Sequence, residues 1–156
     1  PPALAELALS LGADVPVCLR SQAARMTGIG DMVEALEPGD SLALVLVNCG
    51  APLATADVFA ACKTYGAGAA DHDTDDLTAW VIEGRNDLEA AAIALVGGVG
   101  QTLDVLRGQQ GCLVARMSGS GATCFGLFGS TAAAAAGAVA IAAAHPTWWV
   151  VATDAR

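Results

Sequence analysis

Four consecutive residues, Glu37-Pro38-Gly39-Asp40, form the strongest turn cluster in this chain and constrain what can lie on either side of it. Proline fixes its own φ and carries no N–H, while glycine takes backbone conformations that other residues avoid, so neither a helix nor a central strand runs through such a tetrad. A domain boundary is expected there, with residues 1–38 in one domain and 39–156 in a second. Immediately after it, Ser41 to Val47 is a continuous apolar run, the pattern of a central strand covered on both faces.

The second domain then reads as alternating elements. Thr55 opens a helix through Ala61, and Gly66 to Asp76, acidic and without periodicity, is a surface loop. Asn86 to Glu89 has the form of a capping box, and Leu88, Ala92, Leu95, Val99, Leu103 and Leu106 follow at steps of four or three. That spacing predicts one amphipathic helix or two short ones, with a break near Gly97, Gly98 and Gly100. Cys112 to Arg116 and Thr123 to Phe128 are strands joined by Ser118-Gly119-Ser120-Gly121. An Ala-rich helix, Ala132 to Ala144, and a last strand, Trp148 to Ala152, complete the order strand, helix, helix, strand, strand, helix, strand. The fold class expected is α+β, a sheet with helices on one face close to the ferredoxin-like plan.

Before the boundary, Leu4, Leu7, Ala8 and Leu11 lie at helical spacing and Gly12 stops them. Val15 precedes Pro16 and is pushed towards extended geometry, so Ala13 to Leu19 is expected to turn and run on as strand, with Asp14 in the turn. Residues 23–27 and 31–36 flank Gly28-Ile29-Gly30 and suit a hairpin. Pro1-Pro2, followed at once by a helical pattern, reads as a truncation point with no sign of an export signal.

Composition removes several function classes. The chain is 54% hydrophobic with a mean hydropathy of +0.54, yet no run of about 18 apolar residues exists to cross a membrane. The nearest candidate, Ala132 to Ala144, is built of weakly hydrophobic residues and ends at His145-Pro146. Seven Lys and Arg against sixteen Asp and Glu give a net charge of −9, which repels a nucleic-acid backbone. The five cysteines are odd in number, contain no C-x-x-C pair and fit a reducing cytoplasm.

Among the motifs, Met117-Ser118-Gly119-Ser120-Gly121-Ala122-Thr123 can be a plain hairpin turn or an anion site in which consecutive N–H groups converge, and it lacks the Lys of a Walker A loop. Asp14 sits in a rigid turn where a carboxylate could act as general base or metal ligand, or simply serve the turn. Thr55 and Phe59 are one helical turn apart and share a face, though on spacing alone an N-cap plus a core Phe is the simpler explanation. His72 and His145 have no partners at metal-ligand spacing, so no metal site is expected. Trp148-Trp149 reads as sheet packing.

Taken jointly, Leu11-Gly-Ala-Asp-Val-Pro16, Gly28-Ile-Gly-Asp31, Leu44-Val-Leu-Val-Asn48, Thr55-Ala-Asp-Val-Phe59, Asn86-Asp-Leu-Glu89, Arg116-Met-Ser-Gly-Ser-Gly-Ala-Thr-Cys-Phe125 and Pro146-Thr-Trp-Trp-Val150 resemble the GHMP small-molecule kinases in order and spacing. The likeness is to the branch whose acceptor is 4-diphosphocytidyl-2-C-methyl-D-erythritol, and it spans nearly the whole chain. It implies ATP and Mg²⁺ as partners in phosphorylating the acceptor's 2-hydroxyl, on the non-mevalonate route to isoprenoid precursors. By this resemblance Asp14 is the catalytic carboxylate, Gly119, Ser120 and Gly121 form a phosphate loop, and Thr55 and Phe59 contact the acceptor, Phe59 by stacking on cytosine. Residues 1–38 would be the remnant of a ribosomal-S5-like N-terminal domain.

Departures from the family pattern are Cys49 where Pro is frequent, Ser21 where Gly is frequent and Ala54 where Ser is usual. The family's catalytic Lys and main Gly/Ser-rich phosphate loop have no counterpart in these residues, so the polypeptide alone is expected to be inactive. Two alternatives stand beside this reading. One is a GHMP kinase acting on homoserine, mevalonate or a sugar, against which Phe59 and the Trp-Trp ending argue. The other is a non-catalytic α+β ligand-binding module.

Overall fold

A computed structural model describes residues 7–8, 10–12, 15–19, 24–27, 32–36, 41–64 and 76–155. The chain divides into two units, residues 1–40 and residues 41–155. In the first, residues 7–8 and 10–11 are helical, and a short helix α1, Val15–Cys18, follows where strand was expected. Pro16 lies in its first turn, where a missing N–H leaves no intrahelical bond unmade, and Leu19 N–H closes the turn on Val15 O at 3.2 Å. Strands β1, Ala24–Thr27, and β2, Met32–Ala35, pair antiparallel from Ala24↔Ala35 to Thr27↔Met32.

The second unit begins with β3, Leu42–Asn48, the apolar run after the turn. Its elements continue with α2 (Thr55–Ala61), α3 (Leu77–Glu83), α4 (Glu89–Leu95), α5 (Gly97–Arg107), β4 (Cys112–Met117), β5 (Cys124–Phe128), α6 (Thr131–Ala144) and β6 (Trp149–Ala155). The sheet runs β4-β5-β3-β6 with every pairing antiparallel. That is the strand order of the ferredoxin-like plan, with β3 and β5 in the centre.

The run in β3 is central but not equally covered on its two faces. Ala43, Val45 and Val47 are buried against the helices while Leu42, Leu44 and Leu46 turn to the other face and are only half-buried. Strand geometry sends alternate side chains to opposite faces, and the helices that fill the core bring their apolar stripes to one of them. Val99, Leu103 and Leu106 of α5 and Ala134, Ala138 and Ile141 of α6 join Val45, Val47, Ala115, Met117, Cys124 and Phe128 in a single core. Each fully buried Leu there contributes roughly 1.5–3 kcal/mol. The Phe128 ring lies over two absent side chains: a Cβ on Gly126 would come within 3.0 Å of it and one on Gly137 within 3.1 Å.

The apolar repeat after Asn86 resolves into two helices, because Val96 is extended (φ −137°) and serves as the end of α4 and the start of α5. Helix α3 lies between the acidic loop and Asn86, where no element was anticipated. Its signal was Asp76, whose Oδ1 accepts from Thr78 N–H at 2.8 Å and Ala79 N–H at 3.2 Å as an N-cap does. Ser130 caps α6 in the same way through Ala133 N–H. No described helix is long and apolar enough to cross a membrane.

Cys124 is a fully buried free thiol in this core. Burial, aided by the nearby Glu89 carboxylate and Cys49, pushes it from the ordinary 9.0 up to about 12. Stability linked to this thiol is fully present below pH 9.0 and is lost as pH rises from there through about 12, because the unfolded chain releases the proton first. The unfolding free energy of the wild-type chain is expected to fall more steeply across that window than that of Cys124→Ala. Parallel pH profiles in urea titrations would show that another group sets the alkaline limit.

Candidate functional site

Antiparallel pairing of β3 with β5 places Val47 opposite Cys124, so the end of β3 and the start of β5 lie at the same end of the sheet. The segment entering β5 is the glycine-rich link, and the segment leaving β3 leads to α2. The two therefore meet although they are distant in sequence. Thr55 Oγ1 and Ser120 Oγ are 2.8 Å apart and hydrogen-bonded.

The link itself is a closed turn. Ser118 N–H donates to Thr123 O and Gly121 N–H to Ser118 O, both at 2.9 Å. Gly119 and Gly121 have φ of +54° and +87°, a region that side chains disfavour. Their surroundings differ. A Cβ on Gly119 would meet nothing within 4 Å, whereas one on Gly121 would lie 2.7 Å from Met117 Sδ and 3.1 Å from Leu53 Cδ2. Gly119 thus faces open space on the side away from the core.

Three side chains outside the link hold it, Asn86 and Glu89 through its backbone and Asn48 through the Thr123 hydroxyl. Asn86 Nδ2 donates to Met117 O and to Gly119 O, each at 2.8 Å, and its Oδ1 accepts from Leu88 N–H at 3.0 Å. Glu89 Oε2 accepts from Met117 N–H at 3.0 Å, while its other oxygen lies 3.5 Å from Arg107. Asn48 Nδ2 donates to Thr123 Oγ1 at 2.9 Å, and Asn48 Oδ1 accepts from Gly50 N–H at 2.8 Å.

The capping box expected of Asn86 and Glu89 does not form. Helix α4 starts at Glu89, its N-cap is Leu88, and no side chain caps it. Glu89 Oε2 and Asn86 Nδ2 instead bond the strand and turn across the fold, while Asn86 Oδ1 stays local on Leu88 N–H. A local motif cannot distinguish these outcomes, since an Asn and a Glu that could satisfy a helix start can equally satisfy a neighbouring strand. Sequence reasoning likewise singled out neither Asn48 nor Asn86 as a partner of the link.

Thr55 is the first residue of α2 rather than its N-cap; Ala54 holds that place without a side-chain bond. Phe59 is not a core residue but 49% exposed. The arrangement therefore joins Thr55, Gly119, Ser120 and Gly121, with Phe59 one turn further along the same helix. Asp14 lies outside the described residues, as does His72. His145 stacks on Trp148 with ring centroids 3.9 Å apart. Trp148 packs against the core, but Trp149 is half exposed.

The arginines that pack beside the link are committed elsewhere. Arg107 pairs with Asp104 and Glu89, Arg85 with Asp87, and Arg116 donates to Val81 O and Ile82 O at the end of α3. What the turn can offer an anion is backbone N–H in an open, glycine-shaped concavity. No group of three His, Cys, Asp or Glu among the described residues could hold a metal ion.

Alanine should separate the roles of the two glycines. Positive φ costs each substitution about 1–2 kcal/mol, and the crowding at Gly121 adds about 1–3 kcal/mol. Urea denaturation should place Gly121→Ala clearly below Gly119→Ala in stability; equal losses would mean that Met117 and Leu53 yield without cost.

Residues 77–146 match the family model for the C-terminal domain of GHMP kinases. The chain is 47% identical over 149 residues to a 4-diphosphocytidyl-2-C-methyl-D-erythritol kinase of Cereibacter sphaeroides, an alignment covering 91% of this chain and 54% of the relative. It is 43% identical to the protein of the same name from Parvibaculum lavamentivorans, covering 94% and 53%. A crystal structure of 4-(cytidine 5'-diphospho)-2C-methyl-D-erythritol kinase superposes with a TM-score of 0.79 at 27% identity, over 96% of this chain and 56% of that one. The chain spans about half the length of the curated relatives it matches. With strand order, glycine turn and sequence in agreement, residues 77–146 of this chain are a C-terminal domain of the GHMP kinases.

Proposed function

We propose that this chain contributes the acceptor side of a cytoplasmic kinase that transfers a phosphoryl group from ATP to the 2-hydroxyl of 4-diphosphocytidyl-2-C-methyl-D-erythritol, in the non-mevalonate route to isoprenoid precursors. The observation that carries the reading is the 2.8 Å bond between Thr55 and Ser120, which ties the helix bearing an exposed aromatic ring to an open glycine turn. The relatives named above support the choice of acceptor.

In this reading the Gly119–Gly121 turn braces phosphate through its N–H groups, and Thr55 and Phe59 hold the acceptor, with the half-exposed Phe59 ring stacking on cytosine. Asp14 orients the acceptor hydroxyl and takes its proton. Phosphoryl transfer asks little covalent chemistry of the protein and depends on position and charge stabilisation. Mg²⁺ would neutralise phosphate charge and enter with the nucleotide, whose phosphates supply much of its coordination; the described residues provide no cluster for it. Residues 1–38 belong, on this view, to the N-terminal ribosomal-S5-like domain of the kinase.

The protein translated from the full reading frame should phosphorylate the cytidyl acceptor and leave homoserine, mevalonate and sugars untouched, while the 156-residue polypeptide alone shows no turnover. Asp14→Ala should lower kcat by about 10²–10⁴-fold; an unchanged kcat would favour a non-catalytic ligand-binding module. Phe59→Ala should raise the acceptor KM by about tenfold or more, the scale of one lost base stack, with kcat nearly unchanged. An unaltered KM would remove Phe59 from the acceptor site.

A further inference from the structure

Strand β4 is an edge strand of the sheet, paired with β5 alone among the strands. At its last residue, Met117, side chains stand in for the missing neighbour. Glu89 accepts from Met117 N–H and Asn86 donates to Met117 O, so both polar backbone groups on that edge are engaged. The second proton of the same Asn86 amide goes to Gly119 O, two residues into the turn.

This second bond has a geometric result. The Gly119–Ser120 peptide is trans, and in a trans peptide the C=O and N–H point in opposite directions. Fixing Gly119 O on Asn86 therefore directs Ser120 N–H away from Asn86. Packing does not hold this plane, since Gly119 would have nothing within 4 Å of a side chain and glycine resists rotation least of all residues. Ser118 N–H and Gly121 N–H are already used inside the turn, which leaves the Gly119 and Ser120 amides at its crest, and of these it is the Ser120 N–H whose peptide plane Asn86 holds through Gly119 O.

We infer that Asn86 is the positioning residue of the glycine turn: its side-chain amide, bonded to Met117 O and Gly119 O, orients the Ser120 N–H towards the phosphate that the turn receives. The inference rests on the kinase reading for the identity of the anion and on the hydrogen bonds alone for the orientation. Asn86 acts through the turn and need touch no ligand. Its Oδ1, bonded to Leu88 N–H, serves the start of α4 instead, and that division of labour makes the two roles separable.

Asn86→Asp keeps an oxygen for Leu88 N–H but replaces the donor with an oxygen facing two carbonyls, whereas Asn86→Ala removes everything. Both are introduced into the full-length protein, with amide exchange and steady-state kinetics as readouts. Exchange at residues 118–121 should rise about tenfold or more in both variants, the scale of one lost hydrogen bond, with the amides of β3 and β5 unchanged. In parallel kcat should fall by about a hundredfold, as when one preorganised anion donor is lost, with the acceptor KM within about twofold. An Asn86→Asp protein with wild-type exchange and kcat would overturn the inference and leave Asn86 with only its turn at Leu88. Exchange accelerated throughout the unit in both variants would also overturn it, in favour of a general structural asparagine. If the wild-type protein phosphorylates no acceptor while exchange in the turn still responds to Asn86→Asp, the kinase reading fails and the positioning role stands.

Discussion

Hydrogen bonding of β3 along both of its edges is the constraint from which the second unit follows. Leu42–Asn48 pairs with β6 over its whole length and with β5 from Ala43 to Val47. That register decides which face of each strand is buried, because a one-residue slip would exchange Ala43, Val45 and Val47 for Leu42, Leu44 and Leu46. It also decides where the functional groups fall. Antiparallel strands bring the exit of one beside the entrance of the other, so Thr55, after β3, comes to Ser120, before β5, without any local sequence relation between them.

The edge of the sheet is as informative as its centre. An unpaired strand edge presents bare N–H and C=O groups, and here Asn86, from the connection between α3 and α4, and Glu89, the first residue of α4, meet those of Met117. Glu89 is itself held by Arg107 of α5, and Arg116 fastens the end of α3 to β4. A segment without regular structure is thereby stitched to the last residues of β4, where the turn begins. The chain's acidity fits such a design, because Arg85, Arg107 and Arg116 serve carbonyl and carboxylate groups of the scaffold and the glycine turn has backbone amides to offer.

Apart from α3, the order of elements in residues 41–155 was legible because turn chemistry is local: β3 starts soon after the Pro38-Gly39 pair in the sequence and α6 stops at His145-Pro146, each for reasons contained in a few residues. The family likeness was legible because many short motifs agree in spacing. What escaped was whatever depends on a distant partner. Asn86 and Glu89 satisfy the pattern of a helix start, and only the approach of β4 shows that their bonds go elsewhere. Spacing alone left Phe59 open between a core residue and a site residue, and its half-exposed ring is known only once the helix is folded. The strand expected after Ala13 failed for a different reason, since the rule applied to Val15 weighs only the residue before a proline, and Pro16 itself is well suited to the first turn of a helix. Asp14, the residue on which the chemical reading leans most, lies outside the described residues.

The Phe128 ring occupies the volume that side chains at Gly126 and Gly137 would have taken, one in its own strand and one on α6. Three positions far apart in kind are thereby tied to one another: a methyl group at either glycine is affordable only alongside a smaller residue at 128, and a lost ring leaves a void that larger residues at 126 or 137 could refill. Over evolutionary time such a trio drifts together or not at all, so substitutions at these sites should appear in related chains as correlated exchanges.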